Sequence, residues 1–287
     1  MIAENTQLTF DEEVGGDCPA GLYQSHLVTP GLAGFAAVSD KQVEEFHAQG
    51  YLVIHDAFTA EEVAAALEGL LDLIDGKHAA YRGVQYEKSA RELVAQLPPE
   101  QKQDAVRKLW KMVEYERRVA ALAAHPQLLA LLEQLIGDTP ELFQDQALIK
   151  PPLIGREKPW HQDNAYFNVP PETPVVGVWI ALDEARPENG CMYIIPGSHH
   201  AGPVIHFKRR DWQICDTDVA ANAAWTVPLA PGGCLIFHGL LQHGSPPSRS
   251  PRRRRALQFH YKPAGVSTIA AEERLAIFGS EGKNVTC

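Results

Sequence analysis

The chain has 287 residues, 45% hydrophobic and 22% charged, an ordinary globular balance with room for one large domain or two small ones. A net charge of −10 and a pI near 5.6 argue against a general nucleic-acid binder. No apolar run approaches the roughly 20 residues that span a bilayer, and residues 1–10 lack the basic flank and apolar stretch of a signal peptide. Five widely spaced cysteines (Cys18, Cys191, Cys215, Cys234, Cys287) without a CxxC pair read as reduced thiols, which points to a cytoplasmic protein. The sequon Asn284-Val285-Thr286 is therefore only formal, and the C-terminus is no peroxisomal address.

In chain order, residues 1–38 show no periodicity and read as an irregular arm. Ser39 caps a helix over 41–49 that ends at Gly50. Residues 51–54 read as a buried strand. Thr59 and Glu62 form a capping box for a helix whose apolar face runs through Val63, Leu67, Leu70 and Ile74. Residues 76–105 are polar and read as a lid or insertion. Residues 107–116 fit strand or helix, and 119–135 read as one leucine-rich helix. From Pro140 the pattern changes to short apolar runs between Pro/Gly turns, at 142–149, 165–168, 175–182, 191–195, 225–229, 234–237 and 256–261. Many short strands of this kind suggest an antiparallel sandwich or barrel. The expected protein is mainly β with α: a jelly-roll or cupin-like core with helices packed on one side. It is expected to comprise the arm (1–38), one domain over 39–265 and a C-terminal tail (266–287).

The chemistry starts at Trp160-His161-Gln162-Asp163. On extended backbone, residues i and i+2 face the same side, so His161 and Asp163 present an imidazole and a carboxylate to one point while Gln162 faces away. A second histidine would complete a two-His-one-carboxylate set, which covers one face of a metal and leaves the other open. These ligand types also suit Zn, Mn or Ni. His238 and His243 compete for the third position. His238 continues the strand 234–237, whereas His243 precedes Gly244-Ser245 at the start of a new segment. Beyond them a basic run, Arg249 and Arg252 to Arg255, leads into the strand 256–261. A dicarboxylate co-substrate needs a bidentate partner for its far carboxylate, and arginine's planar fork supplies one. Alternation allows only one of Arg254 and Arg255 to point inward, without saying which.

Five blocks in order resemble the phytanoyl-CoA dioxygenase family: Trp160-His161-Gln162-Asp163; Trp179-Ile180-Ala181-Leu182-Asp183; Asn189-Gly190-Cys191; Pro196-Gly197-Ser198-His199; and His238-Gly239-Leu240-Leu241-Gln242-His243-Gly244-Ser245 followed by Arg254-Arg255-Ala256. The resemblance covers about residues 40–262. It implies a double-stranded β-helix that uses Fe(II), 2-oxoglutarate and O2, with ascorbate as an auxiliary reductant. It implies His161, Asp163 and His243 as iron ligands, and so prefers His243 to His238. It implies Arg254 as the 2-oxoglutarate arginine, with Ser245 on the same carboxylate and Trp179 lining that pocket. Lys108 is the match for a further 2-oxoglutarate lysine, with Arg107 and Lys111 as alternatives, and Gln146 is a pocket residue. Gln162, Tyr166 and Phe167 are candidate substrate contacts.

The resemblance implies hydroxylation of an unactivated C–H bond of a small organic molecule, with release of succinate and CO2. Halogenating relatives replace the carboxylate ligand with a small residue, so an intact Asp163 disfavours halogenation. The rival is a cupin-like metal-dependent dioxygenase or hydrolase that makes no use of Arg254 and forms no succinate. Segments 76–105, 164–173 and 198–224 are expected to line the entrance, offering Tyr81, Tyr86, Phe207 and Trp212 besides Tyr166 and Phe167. His199, His200 and His206 read as exposed or substrate-facing, and Lys208-Arg209-Arg210 as a solvated patch. Cys191 and Cys234 read as small core residues. Neither nucleic acid nor membrane is expected as a partner.

Overall fold

Hydrophobic alternation and proline placement account for most of the architecture. The computed structural model describes residues 8–13 and 15–279; the sequon and Cys287 lie outside them. The arm is folded over the body: β1 (Thr9–Phe10) and β2 (Leu32–Ala33) pair at opposite edges of the main sheet. Helix α1 (Asp40–Gln49) is capped by Ser39 and stops where Gly50 adopts a left-handed φ of 80°. After β3 (Tyr51–His55), helix α2 (Ala60–Ile74) begins with the Thr59–Glu62 capping box.

Residues 76–105 do not form a lid. They supply β4 (Val84–Tyr86), α3 (Pro99–Lys102) and short 3-10 turns, and Tyr81 and Tyr86 are core residues. The ambiguous segment that follows is strand β5 (Val106–Trp110). The single helix expected over 119–135 is two, α4 (Arg117–Ala123) and α5 (Pro126–Ile136), bent by 42°. Pro126 has no N–H to continue the first ladder and holds His125 in extended backbone (ψ 125°), so it becomes the first residue of a new helix.

The β region comprises β6 (Pro140–Lys150), β7 (Lys158–His161), β8 (Val176–Ala181), β9 (Met192–Ile194), β10 (His206–Lys208), β11 (Trp212–Ile214), β12 (Trp225–Val227), β13 (Cys234–His238), β14 (His243–Ser245) and β15 (Arg254–Pro263). The strand expected at 165–168 is instead part of a 3-10 turn, Asp163–Tyr166, in which Ala165 N–H bonds Gln162 O and Phe167 N–H bonds Asn164 O. The chain must turn there to keep Asp163 facing His161. Nine strands form one sheet in the order β1-β4-β5-β6-β15-β8-β13-β3-β2, and four form the facing sheet β12-β9-β14-β7. Together they make the double-stranded β-helix, mainly antiparallel.

Each central strand divides its residues by parity. Val178, Ile180, Leu257, Phe259 and Tyr261 face the helical layer and pack with Leu70, Leu128 and Leu132. Trp179, Ala181 and Ala256 face inward and meet Trp160, Tyr193 and Ile194 of the second sheet. Cys191 and Cys234 are buried, reduced core residues. Asn189 fixes the turn before β9, accepting the Arg186 N–H, and Gly190 follows at φ 89°. The C-terminal segment forms α6 (Ala271–Phe278), whose Phe278 packs on Ala165 and Leu240 behind that 3-10 turn.

Leu132 is fully buried between α5 and the sheet. Leu132→Ala should lower unfolding free energy by about 2–5 kcal/mol, measured by denaturant titration, because the truncation leaves a cavity in this layer.

Candidate active site

Strand β7 ends at His161 and Gln162 stays extended (φ −114°, ψ 135°), so Asp163 turns back to the same side. Strand β14 pairs His243 directly with His161. Asp163 Oδ1 lies 3.3 Å from His161 Nε2 and 3.6 Å from His243 Nε2. The three donor atoms fall within 4.8 Å of one another, and all three residues are buried. Each imidazole is oriented from behind. His161 Nδ1–H donates to Pro159 O (2.8 Å) and His243 Nδ1–H to Leu241 O (2.9 Å), which directs both Nε2 lone pairs to the centre. Burial, followed by repulsion from His161, pushes His243 down to about 3. Burial opposes the charge of Asp163, but facing His243 and His260 hold its carboxyl well below the usual range. Two imidazoles and one carboxylate fit a divalent metal such as iron.

The second oxygen of Asp163 is held separately. Oδ2 accepts from His260 Nε2 (2.7 Å) and Gln258 Nε2 (3.0 Å), both on β15. The sequence reading missed these two residues. The available signal was the i, i+2 pattern of Arg254, Ala256, Gln258 and His260 along one strand face.

The triad opens on a partly enclosed cavity. Arg254, Ser245, Trp179, Lys108, Gln146, Tyr166 and Phe167 all line it. Arg254 is the inward member of its run. Arg255 is tied to Asp183 (2.7 Å), Arg253 to Asp104 and Arg252 to Glu184 (3.0 Å). Arg254 lies 5.4 Å from the Trp179 ring and donates to Leu148 O (2.9 Å), and among the described residues no carboxylate pairs with it. Its Nε and Trp179 Nε1 are buried donors without acceptors. Unpaired donors at the closed end of a cavity fit an incoming carboxylate.

Among the described residues Lys108 also lacks a carboxylate partner, and it sits over Trp110 (5.3 Å). Burial, then the charge of Lys158, pushes it down to about 8. Arg107 is already bound to Asp11 (3.4 Å) and the Glu157 carbonyl, and Lys111 is exposed in a turn. Of those three, Lys108 alone is both in the cavity and uncompensated.

Several expected residues lie elsewhere. Gln162 does not reach the cavity: its amide donates to Leu240 O (2.7 Å) and Gly202 O (2.9 Å) and accepts from Val204 N–H (2.8 Å), bracing the loop behind the triad. His206 is fully buried and accepts the Gln162 N–H (3.0 Å). His199 and His200 donate to His47 O and Ala48 O at the end of α1. His238 accepts the Leu240 N–H and is outside the triad. Arg210 is buried between Glu157 and Asp216, not solvated. Of the three segments expected at the entrance, only 164–173 contributes lining residues. Trp212 acts from outside through its carbonyl, which accepts the Tyr166 hydroxyl (2.6 Å).

The family model for phytanoyl-CoA dioxygenase (PhyH) matches residues 46–256. Phytanoyl-CoA dioxygenase domain-containing protein 1 of Mus musculus is 25% identical over 273 residues, 80% of this chain and 91% of the mouse protein. The Danio rerio protein of that name is 30% identical over 154 residues, 51% of this chain and 53% of the fish protein. Among solved structures, EctD from S. alaskensis with 2-oxoglutarate and 5-hydroxyectoine superposes with a TM-score of 0.64 at 22% identity, covering 91% of this chain and 85% of EctD. Fold and site together define a non-haem iron oxygenase that uses 2-oxoglutarate. The chain belongs to the phytanoyl-CoA dioxygenase family.

Asp163→Ala removes the only carboxylate of the triad. It should abolish substrate oxidation and weaken Fe(II) binding by at least tenfold, read by equilibrium metal titration. Full turnover by this variant would exclude Asp163 as a ligand.

Proposed function

We propose that this protein hydroxylates an unactivated C–H bond of a small organic substrate, with His161, Asp163 and His243 as the iron ligands. The observation that carries the reading is a buried three-donor face at one side of a cavity whose closed end presents an unpaired arginine. When bound, iron with 2-oxoglutarate and O2 supplies a two-electron oxidation of carbon, releasing succinate and CO2. The protein's part is ligation, orientation and exclusion of water. Arg254 and Ser245 receive the far carboxylate of 2-oxoglutarate, with Trp179 as the wall beside them. Lys108 and Gln146 flank its other end. His260 and Gln258 keep Asp163 Oδ2 occupied, which leaves Oδ1 for the metal.

The substrate side carries Tyr166 and Phe167. Tyr166 is fixed at its hydroxyl by Lys158 Nζ (2.7 Å), which also pairs with Asp211 (2.8 Å). Gln144 Oε1 lines the same cavity without a donor. Two aromatic faces beside an amide and ammonium groups suit an amphipathic small molecule or a carboxylate.

The test is anaerobic titration of Fe(II)-loaded protein with 2-oxoglutarate, followed by the visible charge-transfer absorption of the chelate. A band in the wild type that weakens at least tenfold in 2-oxoglutarate affinity in Arg254→Ala is the expected result, with Arg255→Ala close to wild type because Arg255 is spent on Asp183. Bound iron without any band would end the 2-oxoglutarate reading and favour a metal enzyme that forms no succinate.

A further inference from the structure

Lys150 is the most deeply buried lysine at the cavity, at 1% exposure, and among the described residues it has no counter-ion. It stands on β6 directly opposite Arg254 of β15, so both side chains project from one face of the sheet into the same closed end. Among the described residues its side chain makes one hydrogen bond, from Nζ to the carbonyl of Arg156. An ammonium offers three donors, so two remain unused.

The nearest acids are committed elsewhere. Glu87 is held by Arg156 (2.7 Å) and Arg107 (3.7 Å), and Glu157 by Arg210 (2.8 Å) and the Tyr23 hydroxyl (2.9 Å). Nor can the side chain swing out. A Cβ at Gly155 would sit 2.7 Å from Lys150 Cβ, and one at Gly190 would sit 2.4 Å from its Cδ, so these glycines let the backbone close on its stem. Burial first, then the charges of Arg254 and Arg107, disfavour the ammonium in the ligand-free protein. A buried cation clamped in such a place costs stability unless an anion joins it.

We propose that Lys150 is a second cationic partner for the far carboxylate of 2-oxoglutarate, acting beside Arg254. The inference rests on the 2-oxoglutarate reading above. It makes the closed end selective for a 2-oxo acid with a distal carboxylate over one without it.

The experiment compares 2-oxoglutarate with 2-oxopentanoate, which shares the chelating end and lacks the distal carboxylate. Dissociation constants are measured by anaerobic calorimetry on Fe(II)-loaded wild type, Lys150→Met and Lys150→Arg. Lys150→Met should weaken 2-oxoglutarate by about tenfold or more, leave 2-oxopentanoate unchanged, and unfold at the same or a higher temperature without ligand. Lys150→Arg should recover part of the loss. If Lys150→Met does not fold, Lys150→Gln takes its place. Equal weakening of both acids, or none of either, would overturn the proposal and leave Lys150 a packing residue. Failure of the wild type to bind 2-oxoglutarate would overturn the parent reading, and this one with it.

Discussion

The site depends on one strand keeping two faces apart. Along β15 the odd residues Leu257, Phe259 and Tyr261 bury apolar side chains against the helices, and the even residues face inward: Arg254 and Gln258 line the cavity, Ala256 packs beside it and His260 meets Asp163. A slip of one residue would put a guanidinium and an imidazole into the hydrocarbon core and phenyl rings against the triad. Both errors are expensive, so the register is set by the core and inherited by the chemistry. The strand is held on both sides, by β6 and β8, which makes that register stiff.

The stiffness matters most at Asp163. A carboxylate has two oxygens, and a site of this kind needs one of them on the metal and an open coordination face beyond it. Oδ1 faces the two imidazoles, whereas Oδ2 is turned into His260 and Gln258. The division is made by a strand distant in sequence from the HxD turn. The arm supports the turn from the opposite side: Tyr23 stacks on Trp160 with ring centroids 5.6 Å apart, and Trp160 Nε1–H reaches Leu22 O at 3.3 Å. A ligand strand gripped on both sides holds its side chains close to their working geometry before metal arrives.

What could be read from the sequence was what local spacing controls. The capping box at Thr59, the stop at Gly50, the i, i+2 relation of His161 and Asp163, and the single inward arginine all follow from periods of 3.6 or 2 within a few residues. Errors arose where a longer-range demand took over. The leucines of 119–135 masked Pro126, which a reading by periodicity alone passes over. The run 165–168 has the composition of a strand, but the need to return Asp163 toward His161 curls it into a 3-10 turn. Gln162 was rightly set on the side away from the metal, and a substrate role did not follow from that, since its partners Gly202, Val204 and Leu240 lie 40 to 78 residues away. Lys150, Gln258 and His260 carried no local signal as single residues. Their meaning comes from which strands pair.

Charge placement around the cavity follows from the same pairing. Arg107, which lines the cavity, and Arg156 and Arg210 beyond it are each answered: Asp11 comes from the arm, Glu87 from the segment after β4, and Glu157 from the residue beside β7. Asp11 is itself buried, at 3% exposure, so the arm contributes a desolvated counter-charge that ties the N-terminus to β5 and the loop before β7. Of the cations that line the cavity, Arg107 and Lys158 are paired, and three others are not. Lys108, Lys150 and Arg254 face it with no acidic partner among the described residues, and Asp163 is already shared among histidines and Gln258. Had the arm's acid pointed inward instead, it would have filled the anion position permanently. Neutralising Arg107 and Lys158 while sparing Lys108, Lys150 and Arg254 leaves positive charge for a ligand's carboxylate, which gains from it where little water remains to screen it.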